Sequence, residues 1–189
     1  MSLNPIPFWF LRHGETDWNA EGRSQGRTDI ALNKVGLAQA ERAARTLVGQ
    51  GIKTIVASPL ARARVTAEMV ARSLNLQIAA FDDDLQEVSF GEQEGLPMGD
   101  WYDDWIAGNY TPAGAESFAT LRVRTVAAIN RATARRGPVL VVAHGALWRA
   151  FRWEAGLPPN VRTPNALPLF AAPGNPGWTL NALELAPED

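Results

Sequence analysis

The sequence predicts an α/β fold: a three-layer αβα sandwich on a mainly parallel sheet of about six strands, with helices on both faces and one antiparallel edge strand. Three observations point there. Apolar runs at residues 8–11, 54–57 and 139–143 have the length of strands rather than helices. Segments of helical periodicity separate them, as parallel strands with crossover connections require. Near the C-terminus a turn-rich "PGNPG" (173–177) divides two further apolar segments, the pattern of a closing hairpin.

Residues 8–11 (FWFL) read as a short buried strand that ends at Arg12. A polar, glycine-containing loop follows through Asn33. Leu37, Ala40, Ala44 and Leu47 recur at helical spacing, so 34–48 is a helix, capped by Asn33 and stopped near Gly49 and Gly51. Residues 54–57 form the second strand. Ser58-Pro59 then supplies an N-cap and a first-turn proline for a helix running to about Leu74, with Arg62 on its first turn. Residues 76–81 are the third strand. The stretch 82–115 is irregular and rich in Gly, Asp and Trp, with a short helix near 101–105. Phe118, Leu121, Thr125, Ala128 and Ala132 mark one face of a long helix that ends at Gly137-Pro138. Residues 139–143 (VLVVA) are apolar throughout, as in a strand covered on both faces. A helix follows from about Ala146 to Ala155, and 167–171 with 178–184 make the hairpin. Without repeat or linker, residues 1–189 are expected to form one domain.

Composition narrows the function. A net charge of −2 leaves no face-wide basic excess, which argues against a nucleic-acid partner. No apolar stretch approaches membrane-spanning length, and Pro5 and Pro7 interrupt any signal-peptide layout. With no cysteine, disulfides, iron–sulfur clusters and thiol catalysis are excluded. A cytoplasmic protein is expected.

The chemistry collects at one sheet edge. In open α/β sheets ligands sit beyond the carboxyl ends of the strands. The first strand runs into Arg12-His13-Gly14, the second into Ser58-Pro59 with Arg62, and "VLVVA" into His144-Gly145. Both histidines of the chain and two arginines therefore gather there. Arg62 is out of place beside the positive end of a helix, and an anion between the two would remove the objection. The run "FDDD" (81–84) invites a metal reading. Consecutive carboxylates cannot all face one ion, however, and no histidine is near in sequence, so no metal and no cofactor are expected.

"LRHGETDWNAEGRSQGRTDIALNKVG" (11–36) closely resembles the N-terminal signature of the histidine phosphatase superfamily, the phosphoglycerate-mutase-like group. The resemblance continues through "ASPLARARVTAE", "LQEVSFGEQEG", "AGAES", "VLVVAHGALWR" and "TPNA", in the right order over nearly the whole chain. It implies that His13 is the nucleophile toward a small phosphate monoester, forming a phosphohistidine that water hydrolyses. It implies further that Arg12, Arg62 and a protonated His144 clamp the phosphoryl oxygens, and that Asn19 adds a donor to them. Gln25, Gly26 and Asn165 match positions at the substrate, and Glu87 matches the acid that protonates the leaving alkoxide. A lid-like segment at about 91–117 and a homodimer are compatible with the family.

Departures from the family pattern bear on substrate. Phosphoglycerate mutases carry an extra segment whose basic residues bind the substrate carboxylate, and here that region is short. No Lys or Arg lies between Arg72 and Arg122, whereas that stretch holds ten of the twenty acids. Phe90 stands where the mutases usually have tyrosine. The expectation is therefore a metal-independent phosphomonoesterase. The alternatives are a cofactor-dependent mutase and a non-catalytic member that only binds phospho-ligands. Trp101, Tyr102, Trp105 and Tyr110 either pack the lid onto the body or form an aromatic, acidic wall at the substrate; that negative segment, with Asp103 and Asp104, should repel a second anionic group. It should also favour a protonated Glu87, while His13 sets the acid limb of a pH profile peaking at about 5.5–7.

Overall fold

The computed structural model describes residues 2–175 and 177–187. Six strands form one sheet: β1 (Phe8–Arg12), β2 (Thr54–Ala57), β3 (Ile78–Phe81), β4 (Val139–Ala143), β5 (Pro168–Pro173) and β6 (Trp178–Ala182), in the order β3-β2-β4-β1-β5-β6. The first four run parallel, with Leu11 beside Val142 and Val56 beside Val141. All five residues of β4 are buried, which is why VLVVA lacks the alternation of a half-exposed strand. The antiparallel strand is β5, between β1 and β6, so β6 is the edge. The turn between them includes Pro176, which lies outside the described residues.

Helices cover both faces. On one, α2 (Lys34–Thr46) and α3 (Ala61–Ser73) bring Ala43, Ala44, Ala63, Ala67 and Val70 onto Leu11, Ile55 and Val142. Small side chains let these helices approach the sheet closely. On the other, α5 (Phe118–Thr133) and α6 (Gly145–Glu154) bury Ile129, Leu147, Trp148 and Phe151 against Phe8, Phe10 and Val141. Trp148 stacks on Phe10 and Phe151, with ring centroids 3.9 and 4.5 Å apart. Burying each such ring contributes roughly 1.5–3 kcal/mol. A third, smaller core joins Val88 and Phe90 to Tyr102, Trp105 and Ile106 of α4 (Trp101–Ala107) and to Phe118 and Leu121 of α5. Four-residue α1 (Asp17–Ala20) lies in the loop after β1. No helix among the described residues is long and apolar enough to cross a membrane.

Several boundaries differ from the sequence expectation for local reasons. β3 begins at Ile78 because residues 74–76 end α3: Asn75 is left-handed (φ 53°) and the Leu76 N–H returns to the Ala71 carbonyl. α5 stops at Thr133, short of Gly137-Pro138. α3 begins at Ala61 with Leu60 at the cap position, so Ser58 does not cap it. The carboxylate of Asp29 instead accepts the Ala61 N–H at 2.8 Å, and this anion from the chain itself offsets Arg62 at the helix start.

The chain leaves β1 for α2 on one face and leaves β4 for α6 on the other. The carboxyl ends of β1 and β4, adjacent in the sheet, thus form a topological switch point. His13 and His144 are the next residues on each.

Candidate active site

His13 and His144 stand with ring centroids 5.2 Å apart. The His13 N–H continues the ladder to the Ala143 carbonyl at 3.1 Å, which fixes its backbone. Its Nδ1 lies 2.7 Å from the Gly14 carbonyl, so that nitrogen carries the proton and Nε2 keeps its lone pair. Nε2 of His144 meets Ser58 Oγ at 2.7 Å. Leu60 N–H donates to the same oxygen at 3.3 Å; when the hydroxyl gives its proton to Nε2, the ring proton of His144 is on Nδ1.

Two buried arginines complete this centre. Arg62, wholly buried, donates from Nη2 to the Gly26 carbonyl (2.6 Å) and from Nη1 to the Thr28 carbonyl (3.0 Å). Arg12 donates from Nη1 to the Thr163 carbonyl at 2.7 Å. Arg12 Nε, Arg62 Nε, His144 Nδ1 and Gln25 Nε2 are buried donors without a partner among the described residues. Unpartnered buried nitrogens on two arginines, a histidine and a glutamine beside His13 suit an anion.

Burial, with Arg62 and Arg12 next in weight, holds the pKa of His13 well below the imidazole range; the bond to Gly14 opposes this. His144 is lowered likewise, by burial first and then by Arg62, His13 and Arg12. Both rings are therefore neutral at pH 7. This corrects two expectations. His144 is not protonated by its own surroundings, because a proton would be buried and would face Arg62, His13, Arg12 and Arg124. His13 also cannot set an acid limb near its ordinary pKa. Burial lowers Arg12 to about 10, with Glu87 opposing and Arg149 and Arg162 adding to the fall.

Glu87 is 5% exposed and lines the cleft in front of His13. Its Oε1 accepts the N–H groups of Val88 (3.0 Å) and Leu147 (3.1 Å), and Oε2 accepts that of Ala146 (2.9 Å). The start of α6 thus holds the carboxyl group, and Oε2, with one donor against two on Oε1, is the less encumbered oxygen. Arg124 secures the loop behind it, donating to the carbonyls of Asp84, Gln86 and Glu87 and to both Glu116 carboxylate oxygens at 2.6–3.2 Å.

The remaining sequence candidates divide. Asn19 and Gln25 line the cleft. Gln25 Oε1 accepts from Thr16 Oγ1 and Asn19 Nδ2, which assigns its amide and leaves Nε2 buried without a partner among the described residues. Gly26 does not line the cleft; it is a glycine because a Cβ there would lie 2.2 Å from the Val88 carbonyl oxygen. Its role is to offer Arg62 a carbonyl. Asn165 also works behind the site, donating to the His13 carbonyl at 2.9 Å and to Asn19 Oδ1 at 3.2 Å.

The acidic-wall expectation fails. Of the ten acids between Arg72 and Arg122, only Glu87 lines the cleft. Asp82 and Asp84 pair with Arg131, Glu94 ties the Gly26–Arg27 backbone, Glu116 pairs with Arg124, and Asp103 meets Asn160. What lines the mouth instead is Tyr102 together with Arg23, Arg149 and Arg162. Sequence reasoning missed these arginines. Arg149 had a signal, being four residues after Gly145 and so on the same helix face; Arg162, in an irregular loop, had none.

A family model described as the histidine phosphatase superfamily (branch 1) matches residues 8–164. An "Uncharacterized phosphatase PhoE" of Bacillus subtilis (strain 168) is 37% identical over 147 residues, 76% of this chain and 74% of that one. A "Probable phosphoglycerate mutase GpmB" of Yersinia pestis (strain Pestoides F) is 38% identical over 93 residues, 49% of this chain and 43% of that one. Among solved structures, mycobacterial glucosyl-3-phosphoglycerate phosphatase Rv2419c in complex with VO3 superposes with a TM-score of 0.83 at 28% identity, covering 96% of this chain and 100% of that one.

Proposed function

Because the chain belongs to the histidine phosphatase superfamily, we propose that it is a metal-independent phosphomonoesterase acting through a phosphohistidine on His13. The observation that carries this reading is the tautomer of His13. A neutral ring whose Nδ1–H is spent on Gly14 presents the Nε2 lone pair amid four unpartnered donors. In the first step that lone pair forms the N–P bond while the bond from phosphorus to the ester oxygen breaks. The leaving oxygen takes a proton from Glu87 at Oε2. In the second step Glu87 accepts a proton from water as the water oxygen bonds to phosphorus, and the N–P electron pair returns to His13. Arg12, Arg62, His144 and Gln25 supply the positive charge and donors that a metal would otherwise provide.

Hydrolysis rather than phosphoryl transfer between two acids is supported by the relatives: the one named a phosphatase aligns over 76% of this chain, and the one named a mutase over 49%. The test is p-nitrophenyl phosphate hydrolysis in EDTA, with rapid-quench labelling. Turnover in EDTA and an acid-labile phosphate on His13 are expected, and both should vanish in His13→Ala. Retained turnover in that variant would overturn the reading.

A further inference from the structure

The cleft in front of His13 has a volume of about 300 Å³, enough for a small ester rather than a macromolecular segment. Its charge is uneven. A phosphate monoester brings about two negative charges, and Arg12 on the cleft wall with Arg62, wholly buried and acting on His13 through its charge, match these. Farther out stand three more guanidinium groups and no further carboxylate. Arg23 is already neutralised, 2.6 Å from Glu21. Arg149 and Arg162 make no ion pair among the described residues. Arg149 is half-buried, its guanidinium carbon 4.7 Å from the centroid of the Tyr102 ring, so a rigid wall aims it rather than leaving it to wander in solvent. Tyr102 is itself fixed in the third core and, with its pKa raised by burial to about 12, keeps its hydroxyl proton. Arg162 lines the same cleft, next to the Thr163 whose carbonyl holds Arg12. Holding like charges together around one cleft is unfavourable unless an anion is shared among them.

Resting on the phosphatase reading above, we propose that the preferred substrate carries a second anionic group on its alcohol portion, a few bonds from the phosphate, bound by Arg149 and Arg162. The planar fork of arginine suits a carboxylate or a second phosphate alike, and matched esters separate the two. The specificity residues thus come from α6 and the loop after it, and not from the acidic segment between Arg72 and Arg122.

The experiment compares 3-phosphoglycerate with glycerol 3-phosphate, which differ by a carboxylate against a hydroxymethyl group. Propane-1,3-diol bisphosphate is compared with its monophosphate in the same way. In the wild type, kcat/KM should favour the carboxylate or the bisphosphate member by about tenfold or more, the scale of one charge-assisted hydrogen bond. In Arg149→Met and in Arg162→Gln that ratio should fall toward one, mainly through KM, and added salt should shrink it in the wild type. Arg162 is exposed in its loop, so its variant keeps the test valid if Arg149→Met folds poorly. A wild-type ratio of one or less, or a high ratio untouched by both variants, would overturn the proposal. Binding of the same ester pairs to His13→Ala, measured by calorimetry, repeats the comparison without turnover. A preference there with no hydrolysis by the wild type would sink the phosphatase reading and leave the second-anion site standing.

Discussion

At the scale of single residues, Glu87 and Ser58 show how one side chain serves both fold and chemistry. The Glu87 carboxyl group takes three backbone N–H groups, two of them at the start of α6. Glu87→Gln keeps the shape but must turn an amide N–H₂ toward one of these donors, and it has no proton to give a leaving alkoxide. Alkyl phosphates should therefore lose ~10²–10⁴ in kcat/KM, and p-nitrophenyl phosphate, whose nitrophenolate leaves unaided, much less. Equal losses on both substrates would mean that the residue only positions α6. Ser58 illustrates what sequence can and cannot convey. Ser-Pro before a helical run is a sound start signal, yet the hydroxyl here orients His144 and the cap carboxylate comes from Asp29, 32 residues earlier. Local pattern reveals that a serine is available, and only the tertiary arrangement decides which donor or acceptor claims it. Arg12, His13, Arg62 and His144 are legible from their position at strand ends, and Glu87 only from the family resemblance. Gly26 and Asn165 were legible as positions but not as roles.

Among elements, the loop from Asp82 to Phe90 is the weak link that must be braced, since it has only one short 3₁₀ turn (Asp83–Leu85) yet carries Glu87. Arg124 on α5 does the bracing: it is 11% exposed and holds three loop carbonyls and the Glu116 carboxylate together. Arg124→Met would leave those carbonyls and a carboxylate unpaired in a largely buried place. Breaking such a pair costs about 3–5 kcal/mol when fully buried, so a loss of about 2–3 kcal/mol is expected here, read as a lower urea midpoint. Activity on alkyl esters should fall with it, because Glu87 loses its seat. A variant with wild-type midpoint and activity would show that the third core alone positions the loop. The irregular stretch 82–115 was the least legible part of the chain, and this is the reason. Its order comes from partners on α5, α6 and the loop after β1, all distant in sequence, whereas the strands and long helices announce themselves by period. The ten acids illustrate the same limit. Their number was plain, but each one's direction depends on Arg124, Arg131, Asn160 or the Gly26 backbone.

At the scale of the whole molecule, building an anion site at the switch point of a parallel sheet stores an electrostatic cost in the fold. The chain's only two histidines are both buried there, faced by Arg12 and Arg62 and, for His144, by His13 and Arg124 as well. Each has a folded-state pKa well below the unfolded value of 6.5. The sign follows. Below pH 6.5 the unfolded chain takes up protons that the folded chain refuses, so stability falls as pH drops, until the folded-state values are reached. Between pH 6.5 and 5.5, before most carboxylates titrate, the loss should be roughly 1 kcal/mol per pH unit for each histidine. Urea unfolding at pH 7 and pH 5.5 measures it. Replacing His144 with Asn should remove about half of the slope, and so should His13→Ala. Inorganic phosphate, bound by the folded state alone, should restore stability at pH 5.5 by an amount that grows with its concentration. A slope that persisted in both variants would place the titrating groups elsewhere. No slope at all in the wild type would mean that both histidines titrate alike in the folded and unfolded chain, and that burial among arginines does not hold them neutral.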